Sequence, residues 1–382
     1  VILTNTCAIR EGAEEKIWNR LDYFQSIRNK NRQLKVRKAG YPIIGILGCM
    51  AERLKTKLLE EKSVDFVCGP DAYRDIPRLL STVGVCGIKE ANTILSFEET
   101  YADVTPSREN KSAISAFVSI MRGCNNMCTY CIVPFTRGRE RSRDITTILN
   151  EIQDLSDNGV KEVMLLGQNV NGYFDSSADG VEMFPNTRNY TISDGFGKPL
   201  YRSKKQDGAG ARFVDLLDVI SDRYPDMRIR FTSPHPKDFP VEVFELIAKR
   251  SNLCSSLHLP AQSGSSAVLS TMRREYSRET YLTLVQQARA IIPNVSISSD
   301  FITGFCNESE EDHKETLSLM EVVGYDMAFM FAYSLREKTA AAYKLSDNVP
   351  EEVKSRRLQE VCVCRLCACR CGETEYMWGD CV

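Results

Sequence analysis

The stretch Ile120-Met-Arg-Gly-Cys-Asn-Asn-Met-Cys-Thr-Tyr-Cys131 follows an apolar run and carries three cysteines in a CxxxCxxC spacing. Three thiolates at this spacing suit a four-iron cluster and leave its fourth iron without a protein ligand. Clusters that only carry electrons normally have four cysteine ligands. We therefore expect Cys124, Cys128 and Cys131 to hold a 4Fe-4S cluster whose open iron binds a substrate or cofactor.

S-adenosylmethionine (SAM) is the leading candidate for that open iron, because its amino and carboxylate groups can chelate a metal. Zinc is the main alternative. Structural zinc sites use four ligands, usually from two separated pairs, and the sequence has no second pair near this loop. A disulfide between two of these cysteines is favoured less still.

The sequence around this loop repeats a strand-then-helix unit and predicts an α/β fold. Apolar runs at residues 117–121, 162–166, 228–232, 256–259, 296–301 and 327–332 fit six parallel strands of a partial, TIM-like barrel. Active sites of barrels are built from the loops at the carboxyl ends of the strands, and here those loops are polar and rich in Gly and Pro. We expect SAM contacts from them and from the third strand, at Tyr130, Gly167, Gln168, Asn169, Arg230, Ser233, Gln262 and Gly304.

Three sets of polar residues have a structural interpretation beside the functional one. If Arg228 and Arg230 face the barrel interior, a buried guanidinium needs an anionic partner, and the SAM carboxylate or a phosphate would serve. His235 and His258 suit proton transfer, although a structural role is favoured for both. Alternating arginines in an extended chain would share one face and form a phosphate-binding row for RNA, with a solvated charge run as the equal alternative: Arg137, Arg139, Arg141 and Arg143.

The first ninety residues predict a second parallel α/β sheet. Strands at residues 1–5, 43–48 and 64–67 alternate with helices near 10–27, 51–61 and 72–81. Cys7 follows the first strand and Cys49 the second, so both thiols are expected at one edge of the sheet. Cys68 follows the third strand, but burial as a small apolar residue is favoured there. A basic run from Arg28 to Lys38 suits RNA phosphates or a solvated helix end.

Length and composition set wide bounds. The chain has 382 residues, a net charge of −2 and fifteen cysteines, which indicates two or three domains, gives no global sign of nucleic-acid binding and favours a reducing compartment. No apolar stretch reaches the length of a membrane span. The chain opens on an apolar run without an initiating methionine, so we expect it to be incomplete at the N-terminus.

Several motifs together resemble those of the MiaB-type tRNA methylthiotransferases, which are radical-SAM enzymes. They are Asn5-Thr-Cys7, Gly48-Cys-Met50, the cysteine loop, Val133-Pro-Phe-Thr-Arg-Gly138, Leu166-Gly-Gln-Asn-Val-Asn171, His258-Leu-Pro-Ala-Gln-Ser-Gly-Ser265 and Ser299-Asp-Phe-Ile302. They span the chain to about residue 360. Details such as Gly69-Pro-Asp-Ala-Tyr-Arg74 look closest to the animal mitochondrial branch, whose members are also named after a kinase regulatory subunit.

The resemblance implies conversion of N6-isopentenyladenosine beside a tRNA anticodon to its 2-methylthio derivative, in mitochondria. It implies two 4Fe-4S clusters: one on the CxxxCxxC cysteines and an auxiliary one on Cys7, Cys49 and an upstream cysteine. Partners would be the anticodon stem-loop, SAM, a reductant and a sulfur donor, without a membrane, and a kinase-regulatory protein is a further candidate. A threonylcarbamoyl-adenosine or ribosomal-protein enzyme and a non-enzymatic kinase regulator remain alternative functions.

The expected domains are a methylthiotransferase domain at 1–95, a linker at 96–115, a barrel at 116–345 with an insertion at 173–212, and a C-terminal segment at 346–382. Two departures from the family pattern stand out. Gly304-Phe-Cys-Asn-Glu-Ser309 replaces the usual Gly-Phe-Pro-Gly-Glu-Thr, and a cysteine-rich tail from Cys362 to Cys371 stands where a small β-rich RNA-binding (TRAM) domain is usual. For this tail we expect a C-terminus altered by splicing or reading frame rather than a metal knuckle.

Overall fold

The computed structural model describes residues 1–8, 11–33, 42–104, 106–108, 110, 112–186, 195–197 and 208–368. Most of the basic run beyond Gln33, the middle of the insertion and the cysteine-rich tail beyond Ala368 therefore lie outside the described residues. The chain divides into two compact units. The first comprises residues 1–99 with 131–139, and the second comprises residues 100–130 and the described residues from 140 onward.

The first unit is built on a parallel sheet of four strands in the order β1-β2-β3-β4. Its elements within residues 1–99 are β1 (Ile2–Thr6), α1 (Glu11–Gln33), β2 (Ile44–Gly48), α2 (Cys49–Leu54), β3 (Phe66–Cys68), α3 (Ile76–Ser81) and β4 (Glu90–Asn92). The short helix α4 (Val133–Arg137) belongs to the same unit. Three predicted strands are confirmed to within two residues, and β4 is an additional strand that the sequence analysis missed.

Burial explains why this sheet forms. All five residues of β2 are buried, as expected for a strand covered on both faces of a parallel sheet. Leu21 and Phe24 of α1 pack on it, and Ile132 joins the same core. A side chain at Gly45 would collide with the Phe66 ring, because a Cβ there would lie 2.2 Å from its Cζ atom.

The second unit contains the six predicted barrel strands in two parallel sheets. One has the order β11-β8-β5 and the other β12-β13-β14, and a parallel bridge from Ile229 to Leu253 connects them. The strands are β5 (Ser115–Ser119), β8 (Glu162–Leu166), β11 (Arg228–Phe231), β12 (Ser256–His258), β13 (Ser296–Thr303) and β14 (Met327–Ala332). The second unit also contains two antiparallel pairs of two-residue strands: β6 (Met121–Arg122) with β7 (Arg141–Ser142), and β9 (Phe174–Asp175) with β10 (Ala211–Arg212).

Helices cover the outer face of these strands. They are α5 (Ile145–Asp157), α6 (Ala178–Met183), α7 (Phe213–Arg223), α8 (Val241–Lys249), α9 (Ser266–Thr271), α10 (Arg278–Ile291), α11 (Glu310–Val323), α12 (Ala340–Lys344) and α13 (Glu351–Ala368). In α5 the buried residues are Ile145, Ile148, Leu149 and Ile152, one face of an amphipathic helix. Among the described helices, none has the length and apolar character needed to cross a bilayer.

Alternation along the strands separates the helix-covered face from the barrel interior. Val163, Leu165 and Ile229 are buried in the core formed with the helices. Their neighbours in the pleat point the other way and stay partly exposed, including Glu162 and Arg230. The face of these strands that turns away from the helices therefore carries polar side chains.

Candidate cluster and cofactor site

Cys124 and Cys128 lie in the loop after β6 and are each only 8% exposed. Cys131 belongs to the first unit and is half-buried. Across the described residues, no three His, Cys, Asp or Glu side chains converge as they do around a bound metal ion. The assignment of these three cysteines as cluster ligands thus stays a prediction from their spacing.

Both peptide N–H groups beside Cys124 are held by side chains of other segments. The Gly123 N–H donates to Gln168 Oε1 at 2.7 Å. The Asn125 N–H donates to Glu140 Oε1 at 3.1 Å. The main chain at Cys124 is therefore fixed on both sides by hydrogen bonds, one of them to the loop that follows β8.

Arg274 is the most informative residue that the sequence analysis missed. Its side chain is buried, and Nη1 donates to the Cys128 Sγ atom at 3.6 Å and to the Tyr130 hydroxyl at 3.4 Å. Nη2 donates to the Pro260 carbonyl at 2.7 Å. Burial opposes its charge, but Tyr130, Tyr276 and Cys128 outweigh this effect, so the pKa of Arg274 is raised. A permanent cation thus lies beside one predicted cluster thiolate.

Lys237 and Asp238 form a buried ion pair after β11, with Nζ 2.8 Å from a carboxylate oxygen. Burial acts to lower the pKa of Lys237, but the Asp238 carboxylate raises it by more. Asn169 donates to Asp238 Oδ2 at 3.0 Å and to Glu140 Oε1 at 2.9 Å. These residues link the loops after β8 and β11 to Glu140, and no local sequence pattern marks Glu140 or Lys237 as part of a site.

The residues predicted to contact SAM differ in their surroundings. Gln168 and Asn169 are already committed to hydrogen bonds that hold neighbouring loops. Ser233 and Gln262 adopt left-handed backbone conformations, with φ of 61° and 71°, which are uncommon for non-glycine residues and cluster at functional sites. Gly167 allows close packing, because a Cβ there would lie 2.6 Å from the Met121 Cγ atom.

Tyr130 and Gly304 lie on one side of the barrel mouth. The Tyr130 ring packs edge-on against Phe305 with a centroid distance of 6.5 Å. Gly304 has a φ of 72° and its N–H donates to the buried Glu308 carboxylate at 2.6 Å. Asn307 takes a left-handed conformation in the same turn, which Asn tolerates better than most residues. The altered motif from Gly304 to Ser309 therefore still forms a compact turn.

Arg230 already has a carboxylate partner within the protein, and its predicted contact with SAM stays a prediction. The side chain is about one third exposed and pairs with Glu162, with the Arg230 Nε atom 3.0 Å from the Glu162 carboxylate. A partly exposed guanidinium with its own carboxylate does not require the SAM carboxylate as a partner.

Helix α4 reaches Arg137, so the four arginines of the predicted row do not all lie in one extended segment, and their contact with RNA stays a prediction. Residues from Val133 to Arg137 form the helix α4, and Gly138 ends it with a φ of 72°. The Arg143 guanidinium is buried, pairs with Glu151 at 2.6 Å and donates to the Ser119 carbonyl. Arg143 is therefore a structural residue of the second unit, because a buried charge needs these partners. Arg139 is exposed, whereas Arg141 is buried.

The two barrel histidines differ. His235 is buried, and its backbone N–H donates to Asn171 Oδ1 at 2.8 Å. Burial lowers the pKa of its ring well below the ordinary value, which fits a structural role. His258 lies on the interior face of β12. Its ring nitrogens lie 3.0 Å from Ser298 Oγ and 3.2 Å from Asp300 Oδ2.

In the first unit, Cys7 and Cys49 occupy equivalent positions directly after two neighbouring strands of the sheet. Thr6 of β1 pairs with Gly48 of β2, so the next residue of each strand is a cysteine at the carboxyl edge. Arg137 donates from Nε to the Cys49 Sγ atom at 3.0 Å. The predicted auxiliary thiolate thus also has a guanidinium beside it.

Cys68 behaves as a structural residue of the first unit. It is fully buried, its thiol lies 3.2 Å from the Ala72 carbonyl, and burial with the nearby Asp75 raises its pKa to about 12. A thiol that stays protonated is a poor cluster ligand, because the thiolate is the form that binds metal.

Comparisons with known proteins agree with this architecture. A model of the radical SAM superfamily matches residues 118–320, and a model described as "Uncharacterized protein family UPF0004" matches residues 1–69. Among solved structures, the radical SAM methyltransferase TsrM from Kitasatospora setae has a TM-score of 0.57 at 14% identity and covers 84% of this chain and 60% of that one. At this identity the likeness establishes the fold alone.

Two curated relatives are much closer in sequence. The chain is 57% identical to the mouse "Mitochondrial tRNA methylthiotransferase CDK5RAP1" over 94% of this chain and 60% of the relative. It is 49% identical to the "tRNA-2-methylthio-N(6)-dimethylallyladenosine synthase" of Azobacteroides pseudotrichonymphae over 96% of this chain and 73% of the relative. The chain thus spans about three fifths of the length of the animal relatives that it matches.

Proposed function

The chain belongs to the radical SAM superfamily and, within it, to the MiaB-type tRNA methylthiotransferases, and from this we propose that it carries the 2-methylthiolation of N6-isopentenyladenosine next to a tRNA anticodon. The observation that carries the proposal is the CxxxCxxC loop at the mouth of a six-stranded barrel, with Arg274 donating to the Cys128 thiol. The names of the relatives favour this substrate over threonylcarbamoyl-adenosine or a ribosomal protein. They equally favour an enzyme over a kinase-regulatory binding protein.

The residues of the loop fit an iron-sulfur cluster. Asn126 lies between the two buried thiols in sequence, and its side-chain amide nitrogen is buried without a hydrogen-bond partner among the described residues. An amide N–H that is left unpaired by protein is a suitable donor to a cluster sulfur, and such hydrogen bonds tune clusters. Cys124, Cys128 and Cys131 would hold the cluster, and Arg274 would donate a hydrogen bond to the Cys128 sulfur, from which Nη1 lies 3.6 Å away.

When bound, the reduced cluster and SAM supply the radical chemistry that opens the adenine C2–H bond, and further SAM supplies the methyl group. The chain's own residues bind and orient the base. On the interior face, Ser298 and Asp300 fix the His258 ring, and Phe329 packs edge-on against it with a centroid distance of 6.3 Å. We assign this combination of an aromatic face and polar edges to a base turned out of the anticodon loop.

A second cluster, which handles sulfur, is proposed at the carboxyl edge of the first unit. Cys7 and Cys49 would be two of its ligands, and the family resemblance assigns the third to an upstream cysteine. Arg137 supports this proposal, because its guanidinium lies 3.0 Å from Cys49 Sγ, and hydrogen bonds to the sulfurs are one of the features that tune iron-sulfur clusters. Cys68 is not proposed as a ligand, because its thiol is fully buried and donates to the Ala72 carbonyl at 3.2 Å.

The proposed partners follow from this chemistry: a tRNA anticodon stem-loop, SAM, a reductant and a sulfur donor. A mitochondrial location is proposed from the animal relatives. A kinase-regulatory protein partner, suggested by the names of these relatives, is a separate proposal that no contact in the structure supports. Phosphate contacts are proposed for the exposed Arg139 rather than for the buried Arg143.

Mass spectrometry of a modified RNA tests the proposed function. Protein reconstituted anaerobically with iron and sulfide should convert a stem-loop containing N6-isopentenyladenosine to its 2-methylthio form in the presence of SAM and a reductant. Cys128→Ala should abolish the product, whereas Cys86→Ala, at an exposed thiol, should not. A product that persists in Cys128→Ala would refute the assignment of Cys128 as a cluster ligand. If the protein modified only threonylcarbamoyl-adenosine, that nucleoside would be the substrate instead of N6-isopentenyladenosine.

A further inference from the structure

Asn125 and Glu140 hold each other through three hydrogen bonds. The Asn125 N–H donates to Glu140 Oε1 at 3.1 Å, and the Asn125 side-chain amide donates to Glu140 Oε2 at 3.1 Å. In return, the Glu140 N–H donates to Asn125 Oδ1 at 3.2 Å. We call this pair the Asn125–Glu140 clamp. Both oxygens of the Glu140 carboxylate and both polar atoms of the Asn125 side-chain amide take part, so the Asn125 amide cannot turn over without losing bonds.

The clamp closes a loop of the chain that carries two predicted cluster ligands. Its two residues are fifteen positions apart, and Cys128 and Cys131 lie between them, while Cys124 immediately precedes Asn125. Holding the ends of a loop removes part of the conformational entropy that ligand binding would otherwise cost. The clamp therefore restrains the chain at Asn125 and Glu140, the two positions between which Cys128 and Cys131 lie.

Three buried residues connect to the clamp through hydrogen bonds and an ion pair. Asn169 donates both to Glu140 Oε1 and to Asp238 Oδ2, and Lys237 neutralises Asp238. Asn169, Lys237 and Asp238 are each 2% exposed. Such a network is rigid because each member lacks an alternative partner in water.

We propose that Glu140 is a positioning residue for the cluster, which it serves by fixing Asn125 and with it the CxxxCxxC loop. This inference rests on the proposed function, because it requires that the loop hold a cluster. The effect of Glu140 passes through Asn125, whose main-chain and side-chain amides it holds. Outer hydrogen-bond partners of metal sites typically contribute 10- to 100-fold to metal affinity.

Exchanging the two head groups provides a direct test. In Glu140→Gln, one end of the introduced amide meets a donor of Asn125 whichever way it is turned. In Asn125→Asp, the introduced carboxylate faces the Glu140 carboxylate. The double variant Asn125→Asp/Glu140→Gln restores a donor opposite every acceptor and keeps the net charge of the pair. Each single variant should retain the cluster about 10-fold less well against a chelator, and the double variant should recover most of that loss.

Three readouts separate positioning from general damage. Iron and sulfide per chain report retention, and the EPR spectrum of the reduced cluster reports its geometry. The unfolding midpoint of the cluster-free protein reports stability. Asp215→Asn is the matched control, since Asp215 is a buried carboxylate that accepts from the Arg212 N–H at the start of α7. It should leave retention and the EPR spectrum unchanged.

The proposal is supported if both single variants lose iron and alter the EPR spectrum while the double variant regains both. It is overturned if the single variants retain iron like the control, if the double variant is no better than either, or if the cluster-free unfolding midpoints fall in parallel with the iron content. A wild-type protein that binds no cluster would instead refute the proposed function. Opposite shifts in reduction potential with unchanged retention would show that the pair acts through charge alone, which also overturns positioning.

Discussion

Replacing Arg274 with methionine tests how strongly the barrel holds the segment around Cys128. The substitution keeps the apolar stem but removes donors to the Pro260 carbonyl at 2.7 Å and to the Tyr276 hydroxyl at 2.9 Å. Hydrogen bonds to charged groups contribute about 1.5–3 kcal/mol each. The Tyr276 hydroxyl still lies 3.3 Å from the Pro260 carbonyl, so that group keeps a donor. We therefore expect a loss of about 2–4 kcal/mol in the free energy of unfolding rather than the full sum.

Urea unfolding of the cluster-free protein measures this loss, and Arg273→Met is its matched control. Arg273 is the neighbouring residue, is exposed and has a φ of 55° in the wild type, so the control keeps the same backbone strain. Its free energy of unfolding should change by about 0.5 kcal/mol or less, as for most surface substitutions. If Arg274→Met costs no more than Arg273→Met, the buried guanidinium does not organise this segment and the reasoning fails.

Three further predictions concern single residues. The pKa of Cys68 is raised from its ordinary value of 9.0 to about 12, so the folded state keeps this proton longer than the unfolded state; stability should fall between about pH 9 and pH 12, and Cys68→Ala should remove that part of the slope in urea titrations. Gly304→Ala should cost about 1–3 kcal/mol in thermal unfolding, because φ is positive and a Cβ would lie 2.3 Å from the Lys354 Cγ atom; an unchanged Tm would contradict this. Arg143→Ala should destabilise the fold by about 2–4 kcal/mol, because it removes a buried guanidinium that pairs with the partly buried Glu151 and donates to the Ser119 carbonyl. Arg139→Ala, at an exposed residue, should change Tm far less and lower the slope of log K against log salt for RNA by about one; equal effects on Tm would refute the distinction.

The strands of the barrel were predictable because their burial follows local alternation. All six predicted strands form, within three residues of the expected bounds. The CxxxCxxC loop was equally visible, because its three cysteines are close together in sequence. The buried face of α5 follows its local helical periodicity, but at the start of this helix the Ile145 N–H donates to Asp175 Oδ2 at 2.8 Å. Asp175 is thirty residues away, and no local pattern identifies such a partner.

The parts that sequence reasoning missed are contacts between distant segments. Arg274 meets Cys128 across 146 positions of the chain, and only closure of the barrel brings them together. Glu140 was hidden inside the alternating arginines, which suggested an extended chain. Helix α4 and the positive φ at Gly138 break that alternation. A charge pattern predicts a shared face only when the backbone conformation is known.

The central claim is that Cys124, Cys128 and Cys131 hold a cluster with one iron open to SAM. The most direct measurement is the EPR spectrum of the reduced, anaerobically reconstituted protein before and after SAM is added, with iron content and 5′-deoxyadenosine formation measured on the same samples. The account predicts one SAM-responsive cluster that is lost, together with SAM cleavage, in the variant with all three cysteines changed to alanine. A triple variant that keeps its SAM-responsive signal and still cleaves SAM would contradict it.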